Sequence, residues 1–351
     1  MSERSVFILG AAAATAFGAT PKANCDALFA GRTAFALPRH FDAKGRMLGI
    51  DPELDRGPGS RAERLLVKLR DAVDFDVPPG THLFAATTVG AIDRLEAGEN
   101  IDTAREFLHA AERIFGLTGG TLVSAACASG QTAVALAMRQ LRHGSIRHAL
   151  VVGGDIASEF VTSGFAALGA LSHAVCRPYD AGRDGLTIGE GAAALLLGCD
   201  GSPVGKISCA AETCDASHIT SPDLSGKMLA AACRAALGDT VPSGVIGHGT
   251  GTIYNDQSEV AALYSLFPSG MPPLFSLKGN YGHTLGATGV LQIALGLEFS
   301  RRRRLPPQAG LVSPMEHANV AAAPRALEGG RLLSLNVGFG GLNSAVVLEA
   351  L

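Results

Sequence analysis

The chain has 351 residues, 47% of them hydrophobic and 44 of them glycine, and a formal net charge of −3. That is enough apolar material for a large core, as two domains or one duplicated α/β unit, and no segment is long or polar enough to read as disordered. The small charge gives no general electrostatic reason to bind nucleic acid or anionic lipid, and no run reads as a membrane span.

In chain order, the alanine- and glycine-dominated stretch from Met1 reads as strand and turn rather than as a signal peptide, with a buried strand over Val6 to Gly10. The segment from Phe41 to Val77 is more charged and less periodic, and Ser60 to Val73 within it reads as an amphipathic helix. Further strands are expected over Thr121 to Ala125, Ala149 to Gly153, Ala193 to Leu197, Gly244 to Gly247 and Ala345 to Glu349. Helices are expected over Gln131 to Leu141, Gly226 to Ala236 and Gly289 to Phe299, the last running into the basic stretch Arg301 to Arg304 before Pro306 and Pro307. The alternation argues for α/β layers with helices packed on buried sheets. A turn at Asp200-Gly201-Ser202-Pro203 sets a boundary between halves 1–203 and 204–351.

Four segments carry candidate chemistry. In TLVSAACASGQTAVALAMRQL an apolar strand runs into Cys127, small residues follow, and a helix begins at once, as in a nucleophile elbow. A helix N-terminus favours thiolate, and small neighbours let a carbonyl approach; a packed free cysteine is the structural alternative. GVIGHGTGTIYND sets His248 after a strand in a glycine and threonine turn, and SLKGNYGHTLGATG sets Lys278 five residues before His283. NVGFGGLNS puts Phe339 in a glycine turn whose backbone N–H groups can be aimed at an oxyanion. The remaining histidines form no metal-ligand grouping, and the seven cysteines form no CxxC pair, so no metal site is expected and a reduced cytoplasmic compartment is the simpler reading.

Together these segments resemble the β-ketoacyl-acyl-carrier-protein synthases of the thiolase superfamily, and the likeness extends over nearly the whole chain, weakest from about His40 to Gly120. The resemblance implies a thiolase-like α/β fold of duplicated halves in α-β-α-β-α layers. It implies a Cys-His-His elongating enzyme that takes an acyl group onto Cys127 and joins it to a malonyl extender by decarboxylative condensation. His248 and His283 would donate ring N–H groups to the thioester oxygen of the enolate, and the backbone N–H groups of Cys127 and Phe339 would form a separate oxyanion hole. Lys278 and Glu259 would form a charged pair, either orienting the histidines or purely structural. Thr250 and Thr252, joined by Thr220, would hold a phosphopantetheine arm, and Phe339 would act as a gate.

The implied partner is an acyl carrier protein, whose phosphopantetheine arm carries the substrate; no permanently bound cofactor is expected. Arg64, Lys68, Arg70, Arg139, Arg142 and Arg147 are candidates for a basic docking face. A homodimer is implied, with the strand after the nucleophilic helix pairing across the two-fold axis, or else a heterodimer with a chain-length-factor-like subunit. The alternatives are a non-catalytic partner subunit, and an acyltransferase or hydrolase using the same acyl-cysteine. Two departures from the family pattern stand out: a shortened region before Cys127, and Ile253-Tyr254-Asn255 in the turn after His248.

Overall fold

The computed structural model describes residues 4–351, so Met1 to Glu3 of the N-terminal stretch lie outside the described residues. Ten strands make one hydrogen-bonded sheet: β1 (Val6–Ala14), β2 (His82–Ala86), β3 (Thr121–Val123), β4 (His148–Asp155), β5 (Gly191–Gly198), β6 (Gly205–Cys214), β7 (Gly244–Ile246), β8 (Leu274–Phe275), β9 (Leu332–Gly338) and β10 (Leu342–Ala350). Their order is β8-β7-β9-β10-β6-β1-β5-β4-β2-β3. Strands β1 to β5 run 1-5-4-2-3 from the centre, and β6 to β10 repeat that path as 6-10-9-7-8. The halves meet where Val6 to Ile8 pair antiparallel with Gly205 to Ile207.

The principal helices are α1 (Pro21–Phe29), α2 (Arg61–Asp71), α3 (Thr103–Phe115), α4 (Ser129–His143), α5 (Glu159–Ala167), α6 (Lys227–Leu237), α7 (Ile253–Leu266) and α8 (Thr288–Arg302). Helices α4 and α8 touch each other and strands of both halves, so they form the central layer. On the outer faces, α2 and α3 cover the first half, while α6 covers the second and packs on α7. This is the layered α-β-α-β-α arrangement. The central strands read as unbroken apolar runs because both faces are covered: every residue of β5 is buried. Among the described residues no helix is long and apolar enough to cross a membrane.

The six expected strands and three expected helices occur with small boundary shifts, and the amphipathic helix is α2, capped by the Ser60 hydroxyl accepting from Glu63 N at 3.2 Å. Strands β2 and β8 were not anticipated, while β6 is the strand that follows the Asp200 to Pro203 turn and β9 the one that leads into the Phe339 turn. The two-residue β8 is too short for any periodicity. One implication of the resemblance is corrected: the strand after the nucleophilic helix, β4, is bonded to β5 on one side and β2 on the other. It has no free edge for a second copy; the sheet ends at β3 and β8.

Close approach of α4 and α8 depends on two glycines. A Cβ at Gly130 would lie 2.8 Å from Gly286 O and 2.9 Å from Val290 N, and a Cβ at Gly289 would lie 2.6 Å from Gln131 N. Each helix therefore rests on the other's first turn. Gly289→Ala forces these backbones apart and is expected to lower unfolding stability by about 1–3 kcal/mol, read as a reduced midpoint in chemical denaturation; an unchanged midpoint would show that the helices have room to spare.

Candidate active site

Cys127 stands between β3 and α4, 5% exposed. The turn before it is tight: Ala126 takes φ +49, Ala128 N donates to Ala125 O at 3.1 Å, and the Ser129 hydroxyl both accepts from Ala125 N and donates to Ala126 O. Small side chains permit this left-handed residue, as a bulky or β-branched one would not. Burial pushes the Cys127 thiol up to about 12, with the Lys278 charge pulling it down and Asp155 pushing it up. At rest the group is a thiol, and the helix terminus alone does not make it a thiolate.

His248 follows β7, and two carboxylates of α7 hold its turn. Glu259 accepts from His248 N at 2.6 Å, Gly249 N at 2.8 Å and the Tyr179 hydroxyl at 2.9 Å. Asp256 accepts from Thr250 N at 2.9 Å, Gly251 N at 3.2 Å and Tyr179 N at 2.8 Å. Both carboxyls are pushed up by burial, Glu259 to about 7. Residues 256 and 259 share a helix face, a spacing that could have flagged Asp256; Tyr179 carried no such signal.

His283 follows Gly282, whose φ of +77 leaves no space for a side chain: a Cβ there would lie 2.7 Å from Ile188 O. Leu285 N donates to His283 Nδ1 at 3.2 Å, and Thr288 Oγ1 lies 3.3 Å from the same atom. With Nδ1 accepting, the neutral ring carries its proton on Nε2. For His248, Nδ1 faces Lys278 Nζ at 3.4 Å, and a charged lysine there selects the same tautomer. The two rings meet edge to face, 5.3 Å apart at 85°. Burial foremost, then the Lys278 charge, holds both imidazoles well below their ordinary range, so both rings are neutral. Lys278 is itself drawn down to about 8 by burial, opposed by Glu259.

The expected Lys278–Glu259 pair does not form. Lys278 Nζ instead contacts His248 Nδ1 and the His248 carbonyl oxygen, while the Glu259 oxygens are engaged by the turn and Tyr179. The two side chains act on His248 from different sides, one through its ring and the other through its backbone.

A cavity of about 270 Å³ opens over Cys127, His248 and His283. Thr250, Thr252, Thr220 and Phe339 also line it, whereas Lys278 and Glu259 stand behind its wall. Thr250 and Thr252 hydroxyls lie 2.9 Å apart, and Thr220 stands in a turn organised by His218 Nδ1. Phe339 is 38% exposed and packs at 5.6 Å on Phe165, an α5 residue that also lines the cavity and that the sequence did not single out. Ile253 and Tyr254 line the cavity too, both more than half exposed.

None of the six basic docking candidates lines the cavity. Arg64 donates to the carbonyls of Leu54, Gly57, Pro58 and Gly59, Lys68 pairs with Asp51 and Glu53, Arg139 lies 3.7 Å from Glu212, and Arg142 donates to Ser208 O. Four of the six are thus occupied within the chain.

Comparison with known proteins shows the family. Residues 110–199 match the family model of the β-ketoacyl synthase N-terminal domain, and residues 204–312 match that of the C-terminal domain. The Streptomyces cyaneus protein named "Putative polyketide beta-ketoacyl synthase 1" is 30% identical over an alignment covering 98% of both chains. The chain belongs to the β-ketoacyl synthase family. With 3-oxoacyl-[acyl-carrier-protein] synthase 2 of Mycobacterium tuberculosis the chain shares 30% identity over 63% of its own length and 58% of the relative's. Among solved structures, a β-ketoacyl synthase of Burkholderia phymatum superposes with a TM-score of 0.82 at 24% identity, covering 99% of this chain and 100% of that one. The ishigamide ketosynthase/chain length factor gives 0.86 at 23% identity over the whole of both chains. These two show the fold.

Because burial raises the Cys127 thiol, its alkylation by iodoacetamide, followed by peptide mass spectrometry, is expected to keep climbing beyond pH 9, where an ordinary cysteine levels off. Lys278→Met removes a charge that favours thiolate and slows the reaction below about pH 8, where the lysine is protonated, the difference fading at higher pH; a plateau near 9 in both proteins would contradict this electrostatic picture.

Proposed function

We propose that the chain is a β-ketoacyl synthase that condenses a Cys127-bound acyl group with a malonyl unit carried by acyl carrier protein. The observation that carries this reading is the pair of neutral histidines beside Cys127, each with Nδ1 engaged, so that two Nε2–H donors are available at one cavity.

The Cys127 sulfur attacks the carrier thioester, the carrier thiol leaves with the proton, and the acyl group stays on the enzyme. The malonyl thioester then enters. Its carboxylate departs as carbon dioxide, and the electron pair of the broken C–C bond becomes an enolate whose oxygen receives the two Nε2–H groups of His248 and His283. The enolate carbon attacks the acyl carbonyl, the C–S bond to Cys127 breaks, and a β-ketoacyl thioester leaves on the carrier while the cysteine is reprotonated. The backbone N–H groups of Cys127 and Phe339 serve the oxyanion of both tetrahedral intermediates. Phe339, held against Phe165, gates the passage. Lys278 fixes the His248 tautomer and Glu259 fixes its backbone, so both are positioning residues.

Thr250, Thr252 and Thr220 would hydrogen-bond the phosphopantetheine arm, which is a substrate carrier rather than a resident cofactor. We read 1–203 as the half supplying the nucleophile and 204–351 as the half supplying both histidines. One similar solved structure is titled a type II PKS acyl-carrier protein in complex with its ketosynthase, and two others are titled as ketosynthases with chain length factors. For this chain the corresponding partners are an acyl carrier protein and either a second copy or a chain-length-factor-like subunit, with any sheet-to-sheet contact limited to β3 or β8. Seven free cysteines favour a cytoplasmic setting. The presence of Cys127, His248, Lys278 and His283 in one arrangement weighs against a non-catalytic subunit.

Incubation with an acyl-carrier thioester is expected to add one acyl mass to the wild-type chain and none to Cys127→Ala; malonyl-carrier protein then discharges it as β-ketoacyl product. His283→Ala still acylates but condenses ~100- to 1,000-fold more slowly. An acyl adduct released only as free acid would instead establish a hydrolase.

A further inference from the structure

Asp155, the last residue of β4, is 1% exposed and forms no ion pair among the described residues. Its oxygens accept from the Thr87 hydroxyl at 2.6 Å, Thr88 N at 2.9 Å, Val89 N at 3.1 Å and Gly286 N at 2.7 Å. Those donors come from two turns that the catalytic reading needs. Thr88 Oγ1 donates at 3.0 Å to the carbonyl of Ala126, the left-handed residue immediately before Cys127. Gly286 lies in the turn whose Leu285 N–H holds His283 Nδ1, and it is packed so tightly that a Cβ on it would lie 2.8 Å from the Thr87 and Thr88 backbone.

We infer that Asp155 is a positioning residue that locks the Cys127 elbow and the His283 turn into one frame, a role resting on the synthase reading above. A carboxylate suits the task because it only accepts hydrogen bonds, whereas an asparagine would present its own N–H groups to two of these donors. Stability alone does not account for it. Burial raises the group from 3.8 to about 6, so the folded chain holds its proton more tightly than the unfolded one. Through this group, stability falls as pH rises across that interval. Nor does its charge assist the chemistry, since it pushes the neighbouring thiol upward. What remains is geometry: a carboxylate at the meeting point of two catalytic turns.

The test compares wild type, Asp155→Asn and Thr88→Val for acylation of Cys127, decarboxylation of malonyl-carrier protein, condensation, and alkylation by iodoacetamide. Asp155→Asn removes a charge that hinders thiolate, so alkylation is expected to hold or quicken, while acylation and condensation fall about 100-fold with KM for the carrier thioester nearly unchanged. Thr88→Val cuts the link to the elbow alone and is expected to slow acylation several-fold while decarboxylation persists. Rates per folded Asp155→Asn molecule within about twofold of wild type, or a change confined to KM, would overturn the role. Should Asp155→Asn fail to fold, Thr88→Val decides: slower acylation with normal decarboxylation supports the frame, and no change in either overturns it. A wild-type chain that neither acylates nor condenses removes the synthase reading and this role together, whereas an active wild type with indifferent variants removes only the role.

Discussion

The site depends on the meeting of two helix N-termini in a layer covered on both sides by sheet. Cys127 stands two residues before α4 and His283 a few residues before α8, equivalent places in the two repeating halves. Because Gly130 and Gly289 let each helix press on the other's first turn, Cys127 and one imidazole are brought together by backbone packing. Packing of this density is stiff, and a catalytic geometry built on helix ends inherits that stiffness.

A layer so fully covered has little water to satisfy the polar backbone of its turns, and buried carboxylates take that part. Glu259 gathers N–H groups of the His248 turn, Asp256 those of the threonines that follow it, and Asp155 those around the elbow and the His283 turn. All three are raised by burial, so each costs folding free energy that an apolar side chain would not, while each leaves fewer backbone donors unpaired. Arg183, 3.9 Å from Asp256, supplies one compensating charge, and Lys278 is the cation beside the His248 turn. It faces an imidazole rather than a carboxylate, and there it fixes a tautomer and attracts a thiolate at once.

The electrostatic outcome suits condensation better than simple acyl hydrolysis. A general-base hydrolase is served by an imidazole titrating near neutrality, whereas both rings here are held neutral and each keeps Nδ1 occupied. Neutral Nε2–H groups can hold an enolate without delivering a full proton to its carbon, which would end the reaction before a bond is made. Burial makes the Cys127 thiol resist ionisation at rest.

Residue order by itself determined that Cys127, His248, His283, Lys278 and Phe339 stand in small-residue or glycine turns and that the class is layered α/β, because each of those signals is local: a strand, a few small residues and a helix start are contiguous in the chain. What only the tertiary structure decided is which groups face them. Asp155 reaches Gly286 across 131 residues, Tyr179 reaches Glu259 across 80, and Lys278 turns to His248 instead of Glu259. The interior place of β4 and the occupied state of Arg64 and Lys68 are likewise facts of pairing. Periodicity and motif spacing report the conformation of neighbouring residues; hydrogen-bond partners, burial and the resulting proton affinities are set by segments far apart in the chain, and those exist only once it is folded.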